Sequence, residues 1–304
     1  MKLTNKKFDK TTIISDYDGT FAEKTGIPEE NCDAVKRFLE RDQQNRFVVL
    51  TARPPASIKK SLAKTSLAEY ARDRIDIAGF NGALSYCQRN IIQDIPIREG
   101  THFTITDRCD AAGINVVHYD KKNIYVTKVD DWMRWYSKMT GYKLKTPVPV
   151  DSWQDPLGIA IFDPAPLTFY MMELKIPEDS ELETFPDSLG LKDRSIGYTR
   201  FTPPFPNRPE KSQWIQVNPT GVDKGKTVHL YSKKMGVNLE NMMVIGDGIN
   251  DLSALIVPGC VGVTFENADK RVVEQLIGDN KYIAPATTEN GFATALDIVT
   301  RGAV

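Results

Sequence analysis

Thr12-Ile13-Ile14-Ser15-Asp16-Tyr17-Asp18-Gly19-Thr20 is the stretch that decides the fold. Its first four residues are a largely apolar, β-branched run of the kind that forms a buried strand, and Gly19 turns the chain directly afterwards. Side chains two residues apart in an extended chain point to the same side, so the turn aims Asp16 and Asp18 into one small volume. Two anions held that close repel, which calls for a cation, a shared proton or a charged substrate.

Outward from this strand, the N-terminal part alternates strand and helix signals. Pro28-Glu29-Glu30 opens a helix whose apolar positions Val35, Phe38 and Leu39 keep helical spacing. Phe47-Val48-Val49-Leu50 reads as a second buried strand, ending at Thr51-Ala52-Arg53-Pro54, and a helix follows through Ile58, Leu62 and Leu67. Ile75 to Gly79 reads as a third strand, ending near Asn81-Gly82. The C-terminal part resumes the rhythm. Asp223 caps a helix running to Gly236, Met242-Met243-Val244-Ile245 is a strand ending in Gly246-Asp247-Gly248, and Cys260 to Val263 is another strand. Helices follow around 268–277 and 290–301. Alternating βα units with continuous apolar strands predict an α/β protein with a doubly wound parallel sheet.

The middle of the chain is different. Residues 97–217 are rich in aromatics and prolines, with strands in pairs: Asn115 to Tyr119 with Ile124 to Thr127, and then Phe169 to Ile176, Ser195 to Thr202 and Ser212 to Val217. A helix is predicted over 130–140 with Trp132, Trp135, Tyr136 and Met139, and Pro203-Pro204-Phe205-Pro206 marks a loop. This pattern predicts an α+β cap domain on an antiparallel sheet, inserted between two halves of the core: 1–96, the insert 97–217, and 218–304.

Ligands of open α/β sheets sit beyond the carboxyl ends of the strands. Asp16, Thr51 and Asp247 fall at three such ends. Asp247 and Asp251, in Gly246-Asp247-Gly248-Ile249-Asn250-Asp251, add two carboxylates one helical turn apart. Acidic groups gathered on one rim, with no histidine or cysteine close in sequence, suit a hard, oxygen-seeking cation, and Mg²⁺ fits best. Lys224 lies at a helix start, where the macrodipole disfavours a cation, so the position needs another reason, which an incoming phosphate would supply. Thr51 offers a hydroxyl and a backbone N–H suited to phosphate oxygens.

The four segments Asp16-Tyr17-Asp18-Gly19-Thr20, Leu50-Thr51-Ala52-Arg53, Asp223-Lys224-Gly225 and Gly246 to Asp251 together resemble, in order and spacing, the four motifs of the haloacid dehalogenase superfamily. The insert, Asn81-Gly82-Ala83 before it, and Pro258-Gly259 to Ala268 and Glu289-Asn290-Gly291 after it, resemble the Cof-type sugar-phosphatase branch. The resemblance implies Asp16 as a carboxylate nucleophile forming an aspartyl-phosphate, and Asp18 as the acid and base. It implies Mg²⁺ held by Asp16, the Asp18 backbone carbonyl and Asp247, with Asp251 in support. Thr51 and Lys224 would bind the phosphoryl oxygens, assisted by Asn250. The substrate would be a small phosphorylated metabolite such as a sugar phosphate. The sequence departs from many relatives at Ala52, where they carry glycine, which leaves Arg53 without an assigned role. Two other readings compete: a phosphomutase of the phosphomannomutase kind, which returns the phosphoryl group to the sugar, and a non-catalytic binding or regulatory protein, against which the intact Asp16, Asp18, Lys224 and Asp247 argue.

Composition narrows the classes further. The 304 residues suffice for a large core and two domains, and 39 Lys and Arg against 40 Asp and Glu leave a net charge of −1. With no long basic run, neither nucleic acid nor an anionic membrane is expected as a partner. No apolar run approaches the roughly 20 residues needed to span a bilayer, and Met1 to Lys7 lacks the apolar segment of a signal peptide. The four cysteines are scattered and form no CxxC pair, so a reducing, cytoplasmic setting is expected, without zinc or disulfides.

Overall fold

The computed structural model describes residues 11–121 except 24, then 124–126, 134, 144–145, 171–177, 196–201, and 212–301 except 279. Apart from position 134, the helix predicted over 130–140 and the proline loop at 203–206 lie outside these residues. The chain divides into two compact units, Met1–Asp94 with Asp223–Val304, and Ile95–Val222.

The first unit begins with β1 (Thr12–Ser15), α1 (Glu29–Arg41), β2 (Arg46–Leu50), α2 (Pro55–Leu62), β3 (Ile75–Gly79), β4 (Leu84–Cys87) and β5 (Asn90–Asp94). The second unit contributes α3 (Glu99–Ala111), β6 (Asn115–Tyr119), β7 (Ile124–Val126), β8 (Leu144–Lys145), β9 (Met171–Pro177), β10 (Ile196–Phe201) and β11 (Ser212–Pro219). The chain then returns to the first unit with α4 (Lys224–Met235), β12 (Met242–Ile245), α5 (Leu252–Leu255), β13 (Val261–Phe265), α6 (Lys270–Gln275), β14 (Lys281–Ala284) and α7 (Gly291–Arg301).

In the first unit the described strands form one sheet in the order β14-β13-β12-β1-β2-β3-β4-β5. It is parallel from β14 to β3, and β4 and β5 extend it antiparallel. The strands read as continuous apolar runs because both faces of the sheet are covered. Alternation sends Ile13, Phe47, Val49, Met243 and Ile245 to one face, where they meet Val35, Phe38 and Leu39 of α1 and Phe292 and Leu296 of α7. It sends Ile14, Val48, Leu50 and Val244 to the other face, against Val228 and Tyr231 of α4 and Leu255 of α5. This is the doubly wound arrangement that the alternating pattern predicts. On the first face Phe21 sits 5.1 Å from the ring of Phe47 and 5.2 Å from that of Phe292, pairs that each contribute about 0.5–1.5 kcal/mol beyond their buried area.

The helix ends follow local chemistry. Asp223 caps α4 by accepting the Lys226 backbone N–H at 2.8 Å, and Gly236 ends the helix at φ 66°. The helix after β2 stops at Leu62 rather than continuing to Leu67. The Thr65 hydroxyl donates to the Leu62 carbonyl at 2.8 Å and ends it, while Leu67 still packs into the core.

The described elements that had no reading in the sequence are α3, the strands β4 and β5 of one hairpin, β8, α5 and β14. The hairpin turn is Gln88-Arg89, with φ of 48° and 69°, positions where glycine or asparagine is the usual signal. Here the Asp76 carboxylate accepts the Gln88 N–H at 2.7 Å and holds the turn instead.

In the second unit the described strands form a sheet in the order β10-β11-β9-β6-β7-β8, antiparallel except between β7 and β8. Ile105 and Cys109 of α3 bury against Val116, Met172, Ile215 and Val217, so a helix lies on one face of a mostly antiparallel sheet. An α/β core interrupted by an α+β unit is the fold class expected. All four cysteines are buried and unbridged. Among the described residues no helix is long and apolar enough to cross a membrane.

Candidate active site

Three adjacent parallel strands, β12, β1 and β2, build one rim of the sheet, with their carboxyl ends at the same side. The Asp16 N–H donates to the Ile245 carbonyl at 2.8 Å, which ties the start of the acidic turn to the end of β12. Tyr17, next in sequence, is buried in the core, and the Ala22 N–H donates to its carbonyl at 2.7 Å to close the turn. At Gly19, φ is 78° and a Cβ would lie 2.6 Å from Oδ2 of Asp247, so the turn needs glycine on both counts.

Carboxylate oxygens of Asp16, Asp247 and Asp251 gather within 4.8 Å of one another. Lys224, the first residue of α4, reaches into this group. Its Nζ lies 2.5 Å from Oδ1 of Asp16 and 2.5 Å from Oδ1 of Asp251. Lys224 is 2% exposed, so those charges act across little solvent. Asp251 does more than pair with it. Its Oδ2 accepts the backbone N–H groups of Gly248 at 2.8 Å and Asp247 at 3.2 Å, folding the loop back on itself. A Cβ at Gly246 would stand 2.6 Å from the Cβ of Asp251, so that return also needs glycine. The Thr20 hydroxyl donates to Oδ1 of Asp247 at 2.8 Å and links the acidic turn to this loop.

The electrostatics follow from burial and crowding. Burial pushes the Asp16 carboxyl well above the ordinary range, and Asp251 adds to the effect while Lys224 opposes it. Burial, then the charge of Asp251, lifts Asp247 to about 7. For Lys224, burial alone would lower the pKa, but Asp16 and Asp251 outweigh it and keep the ammonium charged. The cation at this helix start is therefore compensated by two carboxylates of the chain itself. Three carboxylates against one ammonium leave two formal negative charges among oxygen donors. A divalent, oxygen-seeking cation fits both the charge and the donor chemistry.

The other site candidates lie nearby in different roles. Asp18 is not in the carboxylate group, contrary to the single shared volume expected of the Asp-x-Asp turn. Its carboxylate is gripped by Arg53, with Nε 2.7 Å from Oδ2 and Nη2 2.5 Å from Oδ1. Thr51 is buried at the end of β2, where its hydroxyl accepts the Arg53 N–H at 3.1 Å. Asn250 sits in the single turn Ile249–Asp251 with its side-chain oxygen folded over Gly248. Arg53 and Thr20 are the partners that sequence reasoning left without a role. The only signal for Arg53 was its position, two residues beyond a strand-end threonine.

The sequence profile of the haloacid dehalogenase-like hydrolases matches residues 13–156 and 204–296. Over 82 residues the chain is 34% identical to the 5-amino-6-(5-phospho-D-ribitylamino)uracil phosphatase YcsE of Bacillus subtilis strain 168; that stretch is 27% of this chain and spans about a third, 31%, of the relative's length. Among solved structures it is similar to the HAD subclass IIB sugar phosphatase BT4131, with a TM-score of 0.72 and 20% identity over 94% of this chain and 98% of the other. A haloacid dehalogenase-like hydrolase from Bacteroides thetaiotaomicron superposes with a TM-score of 0.74 at 20% identity, over 95% and 99% of the two chains. At such identities the likeness is one of fold.

Proposed function

Because the chain belongs to the haloacid dehalogenase-like hydrolase family, we propose that it is a magnesium-dependent phosphatase of small phosphorylated metabolites, working through a phosphorylated Asp16. The observation that carries this reading is Lys224 buried between Asp16 and Asp251, with the Asp247 carboxylate alongside. Such a group is built for a dense anion and its counter-charge.

Asp16, Asp247 and the Asp18 backbone carbonyl are the proposed ligands of Mg²⁺, with Asp251 in support. Bound there, the cation would offset negative charge on the phosphoryl oxygens. In the first half-reaction a carboxylate oxygen of Asp16 bonds to phosphorus, and the bond from phosphorus to the leaving oxygen breaks. Asp18 gives its proton to that oxygen, which departs as an alcohol. In the second, water attacks the same phosphorus and gives a proton to Asp18. The bond to Asp16 breaks, releasing phosphate and restoring both carboxyl groups. Lys224 and Thr51 hold the phosphoryl oxygens, assisted by Asn250.

Two of the similar proteins are described as phosphatases, one of a phosphorylated ribityl compound and one of sugars, which supports a phosphorylated sugar or polyol as substrate class. The test is a screen of phosphorylated metabolites with Mg²⁺. Chelation is expected to abolish turnover and Mg²⁺ to restore it. Asp247, held near pH 7, must lose its proton to bind the cation. The half-saturating Mg²⁺ concentration should therefore fall as pH rises through 7, by about tenfold per pH unit for each proton displaced. Full activity in excess chelator would sink the reading.

The segment 97–217 is proposed as the cap that selects the leaving group, because the motifs of the core are committed to the phosphoryl group. Substitutions in it should change the ratio of kcat/KM between two metabolites while sparing p-nitrophenyl phosphate. Equal losses on all three substrates would count against a selective role.

A further inference from the structure

Arg53 makes the most organised contact at the rim that the mechanism above does not use. Its guanidinium meets Asp18 through two parallel hydrogen bonds, Nε to Oδ2 at 2.7 Å and Nη2 to Oδ1 at 2.5 Å. Its Cζ also lies 5.2 Å from the centroid of the Tyr17 ring. Tyr17 is buried in the core, so the ring is a fixed platform. The same five-residue turn thus supplies both the carboxylate that the fork grips and the ring on which the fork rests.

The backbone that carries Arg53 is equally constrained. Its N–H donates to the Thr51 hydroxyl at 3.1 Å, and its carbonyl accepts the Phe80 N–H at 3.3 Å. The Asn81 N–H donates to the Thr51 carbonyl at 2.8 Å. Phe80 and Asn81 have φ of 54° and 56°, a left-handed conformation that is uncommon for any side chain and an outlier for a bulky one. Such backbone persists where surrounding contacts over-determine it, and it clusters at sites where geometry matters. Here the turn delivers two consecutive N–H groups to the loop that bears Thr51 and Arg53.

The neighbouring charges give this constraint a purpose. Asp16, Asp247 and Asp251 already crowd three carboxylates around one ammonium. A fourth carboxylate free to rotate into that group could compete as a ligand and would then be unavailable for proton transfer. We infer that Arg53 is the positioning residue for Asp18: its bidentate grip, seated on Tyr17 and anchored by the Phe80–Asn81 turn, holds the acid/base carboxylate in one orientation and out of the three-carboxylate cluster. A planar fork is required for this, because a lysine offers a point charge that fixes neither carboxylate plane nor rotamer. The inference rests on the phosphatase reading for its catalytic consequence, but not for its structural one.

The experiment compares wild type, R53A, R53K, D18N and the R53A/D18N double variant with p-nitrophenyl phosphate and an alkyl phosphate in Mg²⁺. With R53A, kcat on the alkyl phosphate is expected to fall about 10–100-fold, part of the roughly 10²–10⁴ that a positioned acid/base supplies, with KM changed less than about twofold. With the aryl ester, whose leaving group needs little protonation, R53A should form phosphoenzyme at nearly the wild-type rate and then accumulate it. R53K should recover little of the loss, because its point charge does not fix the carboxylate plane. In the D18N background R53A should cost nothing further, because it acts through the missing group.

An additive loss in that background, or a raised KM with kcat preserved, would show that Arg53 binds substrate directly and would overturn the inference. Crystal structures of wild type, R53K and R53A supply an arm independent of turnover. Asp18 should keep its position with arginine and leave it in the variants, and an unmoved Asp18 in both variants also overturns the inference. Wild type inactive on every phosphate ester would instead be a failure of the phosphatase reading, and the crystallographic arm would still decide the positioning. R53K, which keeps the charge and the stem, serves if R53A does not fold.

Discussion

Asp16→Asn is expected to abolish turnover and leave no covalent phosphoenzyme, whereas Asp18→Asn should trap one. The first substitution removes the oxygen that bonds to phosphorus, and the loss should reach about 10⁴-fold or more, the scale seen when a nucleophile that acts as part of a unit is removed. The second keeps the nucleophile and removes the proton donor and acceptor. With p-nitrophenyl phosphate, transfer to Asp16 should proceed while water attack slows by about 10²–10⁴-fold. Intact-protein and peptide mass spectrometry after rapid quench would then locate an added phosphoryl group on the peptide containing Asp16. An alkyl phosphate should give less accumulation, because its alkoxide leaves poorly without the acid. A phosphoryl group on serine, histidine or cysteine would overturn the mechanism.

Lys224→Met should produce the largest loss of stability of any single change at the rim. The ammonium is buried between Asp16 and Asp251, with Asp247 alongside, and its removal leaves those carboxylates facing one another. Removing one partner from a buried ion pair costs about 3–5 kcal/mol, and urea unfolding in excess chelator is the measurement. The pH dependence has a defined sign. Burial and the Asp251 charge raise Asp247 in the folded state from 3.8 to about 7, so its contribution to stability is present below pH 4 and lost as pH rises through 7. Asp16 is raised in the same sense, first by burial and then by Asp251. The difference between variant and wild type should therefore be larger at pH 8 than at pH 5. Mg²⁺ should restore part of it by replacing the lost positive charge. Activity should fall by about 10²–10³-fold even where the protein remains folded, as when one charge-stabilising donor is removed. Equal stability of the two proteins at pH 8 in chelator would show that Lys224 is not what compensates the carboxylates.

Much of the core was legible from residue pattern because its strands are buried on both faces. Ile13-Ile14, Phe47 to Leu50 and Met242 to Ile245 have no polar face to blur their limits, and the turns after them carry glycine, proline or aspartate. The elements that escaped lack such marks. β4 and β5 are joined by Gln88-Arg89, whose positive φ values are held by the distant Asp76 carboxylate rather than by a turn-forming residue type. α2 is shorter than its apolar spacing suggests, because a single hydroxyl, that of Thr65, takes the Leu62 carbonyl and ends it. Local pattern reports which residues want burial, but not which distant group completes a turn.

The candidate site divides along the same line. The sequence by itself determined which chemical groups stand at strand ends, since an aspartate or threonine directly after a buried strand of a parallel sheet must emerge at the carboxyl rim. That placed Asp16, Thr51 and Asp247 and supplied the oxygen donors for a hard cation. Only the tertiary structure decided how these groups pair. Strand order β12-β1-β2 puts Asp247 beside Asp16, and the return of the chain into α4 brings Lys224 between Asp16 and Asp251 across 208 and 27 residues of sequence. It also separated the two aspartates of Asp16-Tyr17-Asp18, handing one to Lys224 and the other to Arg53. The two-residue period of an extended chain sets the side on which a carboxylate emerges. Its partner is set by which cations the packed helices and loops carry to within hydrogen-bonding reach, and that is a property of the folded chain alone.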